Sequence, residues 1–401
     1  MAQEPIIIIG GGPVGMTAAV ILAKNGVPVK LFEKEESLPK EWRASTIHAG
    51  TLELLERTGL VDELHNQGIT AEKVQYRDRK TGLFAEFDFS LIKDETKYPY
   101  RLQIPQSTFV KIFYEYLKTN PNAEVHFNTE FVKYDQDQDG VTVTLKNKDG
   151  EFNLRTPYLL GADGSHSKIR KQLGVEFPGY MLEERFYLIG TPVPFTNYLP
   201  DIGLVNYISD PEEFLFILKV PEAWRILWPI PPHVSDEEAR DPETTQSKIQ
   251  KALNTTDTFP IIETQLYRIH QRVASKYFDN RVVMLGDAAH LNSPMGGLGL
   301  NNGVHDAVDL SERLLRILNG AKNVEAELQK YSDVRRKVAI DYVKQITERN
   351  TSVLTEKDPV KRIQMQQEYA QEAADPVRAR KWILRSAMIA AAREQGIGEA
   401  P

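Results

Sequence analysis

The sequence predicts an α/β protein with a Rossmann-like domain, a mostly antiparallel β-sheet domain and a helical C-terminal segment. Three observations carry that prediction. A short apolar strand at the N-terminus runs straight into a glycine-rich turn. Two more apolar strands, at residues 158–161 and 281–285, each end in an aspartate flanked by small residues. Between them, residues 185–272 turn aromatic and proline-punctuated in the manner of short strands. At 401 residues the chain is long enough for more than one domain. Its 41% hydrophobic and 26% charged residues are ordinary for a soluble globular protein. A formal charge of -7, with no basic run interleaved with aromatics, argues against a nucleic-acid or anionic-lipid partner. The absence of cysteine excludes disulfides, thiolate metal sites and cysteine nucleophiles, and fits a cytoplasmic protein. No metal site is expected. No stretch approaches the length of a membrane span, and the N-terminal apolar run is too short for a signal-peptide core.

Taken in order, Ile6 to Ile9 read as a strand buried on both faces, followed by Gly10, Gly11, Gly12, Pro13, Val14 and Gly15. In such a G-x-G-x-x-G turn Gly10 permits the tight bend, Gly12 lets backbone approach a pyrophosphate, and Gly15 lets the helix pack on the strand. The amides from about Val14 onward then face the phosphates with the positive end of the helix dipole. A second strand at 27–32 leads to Glu33, an acid placed to accept from a ribose. It disfavours a 2′-phosphate there, so FAD or NAD is expected rather than NADP. Residues 41–59 hold Arg43, Ser45 and His48, then a helical run with Leu52 and Leu55. Arg43 is either a solvated arginine or a cation beside the cofactor phosphates. His48 reads as structural more readily than as a catalyst.

Residues 74–89 alternate as strands, 101–105 form a short extended segment, and 107–117 an amphipathic helix with Ser107 as N-cap. Strands follow at 124–127, 130–134, 141–145 and 152–154, with turns at Asp139-Gly140 and Asp149-Gly150. The strand at 158–161 meets Gly161-Ala162-Asp163-Gly164, with Ser165 and Arg170 at a helix start, which reads as a second nucleotide contact. From 185 to 272 an antiparallel sheet is expected over one side of the cofactor, with a helical insertion at 235–253. Most of its aromatics are core, and Tyr187, Tyr207 and Trp228 are the candidates to line a pocket for a flat ring. The strand at 281–285 ends in Gly286-Asp287-Ala288-Ala289-His290, then Pro294, Gly296, Gly297, Gly299, Leu300 and Asn301 precede a helix at 305–318. So many glycines at a helix entrance make a cradle for a planar ring, with roughly half a positive charge aimed at it. His290 is read as satisfied by backbone at least as readily as catalytic. A charged amphipathic helix at 324–349 and proline-separated helical segments beyond it complete the chain.

These ordered signatures resemble the FAD-dependent aromatic hydroxylases, the single-component flavoprotein monooxygenases of the para-hydroxybenzoate hydroxylase type, over about 350 residues. The resemblance implies that Gly10, Gly12, Pro13, Val14, Gly15, Glu33 and Lys34 hold the ADP half of FAD. It further implies that the Asp163 motif is linked to both FAD and pyridine nucleotide, that Asp287 contacts the ribityl and pyrophosphate region, and that Arg43, Gln103 and the loop from Gly286 through Pro294, Gly296, Gly297 and Gly299 to Leu300 and Asn301 also contact the cofactor. Two departures from the family stand out. Ser293-Pro294 occupies a Pro-Pro position and Leu298 a common glutamine position, which leaves FAD binding intact and alters the ring-facing side. No thioredoxin-like extension is evident. The implied activity is hydroxylation of a small phenolic or N-heteroaromatic ring with O2 and NADH or NADPH, through a flavin C4a-hydroperoxide. His48, Tyr207 and Arg225 are the candidates to assist the ring, with Tyr187, Trp228 and Pro294 beside them in the substrate pocket. A flavin-dependent reductase or dehydrogenase on the same scaffold, and a flavin binder without turnover, are the alternatives. A homodimer is compatible with the sequence. The expected organisation is a discontinuous FAD-binding domain (1–73, 101–180 and 274–350), a substrate sheet domain (74–100 and 181–273) and a C-terminal helical segment (351–401).

Overall fold

The structure, a computed structural model, describes residues 4–397. Its first layer is a six-stranded sheet. Strand β1 (Ile6–Ile9) leads through helix α1 (Pro13–Lys24) to β2 (Val29–Phe32), and β3 (Leu159–Gly161) and β4 (Val282–Met284) join on the other side of β1, all parallel. Ala123–His126 extends the sheet beyond β2, and Phe278–Asp279 closes the far edge as an antiparallel strand. All four isoleucines of β1 are buried, as an interior parallel strand covered on both faces requires. The register sets Ile9 beside Phe32 and Gly161, and Gly161 beside Met284. Four strands therefore end side by side, and the residues that follow them, Gly10, Glu33, Ala162 and Leu285, gather at that end of the sheet, where open α/β sheets bind their ligands.

The second layer is an eight-stranded sheet in the order 290–291, 263–273, 179–191, 224–230, 215–219, 205–209, 73–78, 82–88. Its pairings are antiparallel except that Val205–Ser209 runs parallel to Lys73–Asp78. Successive side chains point to opposite faces. One face carries Tyr76, Phe186, Leu188, Tyr207 and Ile269 and packs with Met295. The other carries Tyr187, Ile189, Trp224 and Trp228 and packs with Ile249 and Leu253, from the insertion helix Pro242–Leu253. Smaller three-stranded sheets are built from Glu130–Gln136, Val141–Asn147 and Gly150–Thr156, and from Thr46–Ile47, Ile69–Ala71 and Arg101–Gln103.

Several local expectations shift. The helix at 107–117 starts at Gln106 behind Pro105, with no side-chain cap, so Ser107 is not its N-cap. The loop-to-helix boundary at 305 moves back, because α2 (Leu298–Leu318) begins as soon as Gly297 turns at φ +68. The helix expected at 324–349 forms and runs on to 355, with one π-helical segment inside it: α3 (Val324–Val338) passes through Ala339–Val343 into α4 (Lys344–Thr355). Beyond it lie α5 (Pro359–Ala374) and α6 (Pro376–Ser386), each with proline at its first position and an aspartate cap. Trp382 stacks on Phe87 at 3.8 Å and Tyr369 packs on Tyr76 at 4.8 Å, so the C-terminal helices finish the core of the sheet layer. Residues 398–401 of the expected C-terminal segment lie outside the described residues. Among the described residues no helix is long and apolar enough to cross a membrane, and no group of three or more His, Asp or Glu side chains is placed to hold a metal.

Candidate active site

The glycines of the first turn have separate physical reasons. Gly10 sits at φ +112 with Ala162 O only 2.2 Å from where a Cβ would stand, and a Cβ on Gly15 would lie 2.1 Å from Gly10 O. Both are demanded by the protein itself. A Cβ on Gly12 would meet nothing within 4 Å, so its smallness serves something that the chain does not supply. Helix α1 begins there with Pro13, no side-chain cap and no acid in its first turn, which leaves its amides free for an anion. Glu33 is drawn into the turn: its Oε2 accepts from the Gly11 amide at 2.7 Å and its Oε1 from the Glu35 amide at 3.0 Å. Lys34 is exposed and lies 3.5 Å from Glu35, outside this arrangement.

Val14 is the meeting point of three motifs. Its side chain would lie 2.9 Å from a Cβ on Gly286 and 2.6 Å from one on Gly303 of α2. Asp163 is largely enclosed; Oδ2 accepts from the Ile169 amide at 3.2 Å, Oδ1 is buried without a partner, and burial pushes the carboxyl up. Arg170 binds the Ala288 carbonyl at 2.8 Å and the Ser165 carbonyl at 2.7 Å and lies over Phe177, so it ties the second motif to the third. Asp287 presents surface to solvent, while the protein packed around it pushes its carboxyl up, opposed by the charges of His290 and Arg43.

His290 is held by side chains rather than, as expected of a strand-end histidine, by backbone. Its Nε2 donates to Asp306 Oδ2 at 2.6 Å, and the same oxygen accepts the Gly286 amide at 2.9 Å. Asp306 Oδ1 takes Arg335 Nε at 2.6 Å, and Arg335 also binds Asn302, all fully buried. Sequence reading passed over this network. Its one signal is a charged residue on the apolar stripe of α2.

The glycine loop is fastened from the other side. Asn301 Oδ1 accepts the His48 amide at 2.8 Å while its Nδ2 donates to the carbonyls of Thr46 and Gly297. His48 Nε2 donates to Gly296 O at 2.8 Å, which makes Nδ1 the ring's lone-pair nitrogen, buried and unpartnered. Burial and the nearby Arg101 charge hold this imidazole well below its ordinary basicity. Gln103 Oε1 accepts from Thr46 Oγ1 at 2.9 Å, and its Nε2 has no partner. Pro294 starts a turn in which its carbonyl accepts the Gly297 amide at 2.9 Å. Gly296 stands at φ +122, and Gly299 and Leu300 follow in the first turn of α2. Arg43, itself at φ +36, is exposed and paired with Glu41 at 2.9 Å. The Arg43 carbonyl accepts from Arg225 Nη1 at 2.8 Å.

Of the proposed ring contacts, Tyr207 lies on the same sheet face as Met295, stacked between Tyr76 at 5.0 Å and Phe216 at 4.8 Å, its hydroxyl buried and unpartnered. Arg225 is on that face as well, but as a clamp. Its Nη atoms are taken by Arg43 O, Ser45 Oγ and Glu263 Oε1. Tyr187 and Trp228 are a correction. They meet edge to face at 5.3 Å in the cluster under the insertion helix, on the opposite face, because they fall on the other parity of their strands. Tyr76 was missed; its hydroxyl donates to Asn350 Oδ1 at 3.0 Å, a pair 274 positions apart with no local signature.

Comparison with known proteins bears on this geometry. The family model described as FAD binding domain matches residues 3–346. Para-nitrophenol 4-monooxygenase of Pseudomonas sp. (strain WBC-3) is 30% identical over 385 residues, 95% of this chain and 94% of that protein. The chain belongs to the FAD-dependent aromatic hydroxylases. Another relative, 6-hydroxy-3-succinoylpyridine 3-monooxygenase HspB of Pseudomonas putida (strain DSM 28022 / S16), is 29% identical and covers 85% of this chain and 86% of its own. The crystal structure of p-nitrophenol 4-monooxygenase PnpA from Pseudomonas putida DLL-E4 superposes with a TM-score of 0.91 at 29% identity, over 100% of this chain and 99% of that one. This flavoprotein is accordingly an aromatic monooxygenase by family. Its residues fit FAD: an open cradle at Gly12, acid-free amides at α1, and orphaned buried atoms on Asp163, Gln103 and His48.

Proposed function

We propose that this hydroxylase inserts one oxygen atom of O2 into a small phenolic or N-heteroaromatic ring at the expense of NADH or NADPH. The observation that supports the reading is the convergence of four strand ends on an open glycine cradle, opposite an aromatic sheet face that shares a core cluster with the glycine loop. The names of two relatives give a nitrophenol and a hydroxypyridine as their substrates, and the same ring class is proposed here. The balance is ring–H + O2 + NAD(P)H + H⁺ giving ring–OH + H2O + NAD(P)⁺. Bound FAD would accept the hydride and activate the oxygen. Everything else falls to the chain. Glu33 would hold the ribose, the α1 amides the pyrophosphate, and Asp287 with the Pro294–Leu300 loop the flavin end. The buried aromatic face keeps water from the reacting ring. The unpartnered Tyr207 hydroxyl would hold the ring's oxygen, and His48 Nδ1, too weakly basic to keep a proton, would accept a hydrogen bond.

The test is anaerobic mixing of the purified flavoprotein with NADH and with NADPH, following flavin absorbance with and without phenols, aminophenols and hydroxypyridines. One ring class is expected to accelerate flavin reduction and, in air, to be consumed as its hydroxylated product. Reduction at one rate whatever ring is present would point to a reductase instead. No reduction by either nucleotide would leave a flavin binder without turnover.

A further inference from the structure

A cleft of about 360 Å³ lies between the sheet layer and α4. Its floor is Ile269, Gln271, Ser293 and Thr347, all buried, and its rim includes Tyr180, Glu348 and Ser352, all exposed. One contact within its lining joins it to the glycine loop, and α4 is tied to the same loop by a residue outside the lining. The Ser293 amide donates to Gln271 Oε1 at 3.2 Å, and Asn350 of α4 donates to Met295 O at 3.4 Å. Ile269 belongs to the same sheet face as Tyr207. Across the rim, the Tyr180 hydroxyl donates to Glu348 Oε1 at 3.2 Å, bridging strand and helix.

The helical wall has a definite hydrogen-bonding sense. The hydroxyls of Thr347, Thr351 and Ser352 donate back to the carbonyls of Lys344, Thr347 and Glu348 at 2.9, 2.7 and 2.9 Å. Their protons are spent inside the helix, and only lone pairs are left to offer. Glu348 adds a carboxylate. None of the lining residues is a lysine or arginine, although Lys344 lies 3.8 Å from Glu348. Such a wall attracts donors and repels anions.

We infer that this cleft is the mouth through which the ring reaches the flavin side of the sheet, and that it admits the ring as a neutral hydrogen-bond donor, a protonated phenol or an aminophenol, in preference to a phenolate or a benzoate. The inference rests on the monooxygenase reading for the ring's later fate. The bridge between Tyr180 and Glu348 has to open as the ring passes, and the incoming hydroxyl takes the acceptor that Tyr180 releases.

The experiment uses the FAD-loaded protein and 4-nitrophenol, whose neutral and anionic forms absorb at different wavelengths. Association is followed by stopped-flow across a pH series in the wild type, Ser352→Trp and Glu348→Gln, with flavin content as the folding control. In the wild type the association rate should track the neutral fraction and fall about tenfold per pH unit above the ring's own pKa. Ser352→Trp should slow association about tenfold by filling the rim, with flavin retained. Glu348→Gln should flatten the pH profile by admitting the anion. Unchanged association in Ser352→Trp overturns the mouth, and wild-type preference for the anion overturns the selectivity. A wild type that binds the ring with these features yet shows no ring-stimulated reduction overturns the monooxygenase reading and leaves the mouth standing.

Discussion

Gly12→Asp is expected to yield a folded protein that has lost its flavin, while Gly15→Val is expected not to fold. The two positions look equivalent in the glycine pattern, yet their surroundings differ. Gly12 has φ -76, open to any residue, and a Cβ there has nothing within 4 Å. The fold therefore tolerates the side chain, and the damage is electrostatic. A carboxylate about 4 Å from a pyrophosphate oxygen, at an effective dielectric near 20, opposes binding by about 4 kcal/mol. That is about three orders of magnitude in Kd. At Gly15 the first added carbon meets Gly10 O at 2.1 Å and the Ala162 side chain at 3.3 Å. Neither can retreat, because β1 and β3 are interior strands locked in register. Absorbance of the bound flavin after purification, set beside circular dichroism of the same samples, separates the outcomes. Flavin retained in Gly12→Asp would contradict the assignment of that cradle.

Arg335→Ala should destabilise the protein by about 3–5 kcal/mol, the usual consequence of leaving a buried charge without its partner. Arg335 and Asp306 are both fully buried, and the truncation strips Asp306 Oδ1 of its 2.6 Å bond. Because Asp306 Oδ2 also accepts the Gly286 amide, the damage should spread to the Asp287 loop and weaken flavin retention. Acid should reveal the same coupling. Burial alone would raise the Asp306 carboxyl, but the charges of His290 and Arg335 outweigh it and lower it from 3.8 to about 2. A depressed folded pKa contributes stability that is fully present above 3.8 and is lost as pH falls through about 2. In Arg335→Ala that loss should begin at higher pH. Urea unfolding midpoints of both proteins across an acid series measure it, and coincident pH dependences would refute the coupling.

The first βαβ unit was legible because everything that makes it is local. Four isoleucines cannot lie on a solvated strand, a glycine turn follows them, and an acid ends the next strand. The Asp163 and Asp287 motifs were legible for the same reason. The aromatic-rich stretch was harder. Tyr187 and Trp228 look as good as Tyr207 in sequence, but pocket membership depends on strand parity and on which face the insertion helix covers. Arg225 illustrates the complementary difficulty, since its partners Ser45 and Glu263 come from distant segments that meet only when the two layers close.

By itself, then, the sequence determined the glycine turn, the acid that ends the next strand, the two aspartate loops and the family, since each is a short pattern whose backbone demands are met by its own residues. The tertiary structure alone decided which aromatics face the glycine loop, that Arg225 and His290 are fasteners, and that Asp306 joins α2, α3 and the Gly286 loop through one carboxylate. It alone placed Tyr180 against Glu348 across the mouth of a cleft. Those facts depend on register, on sheet face and on contacts spanning most of the chain, and no local stretch of residues carries them.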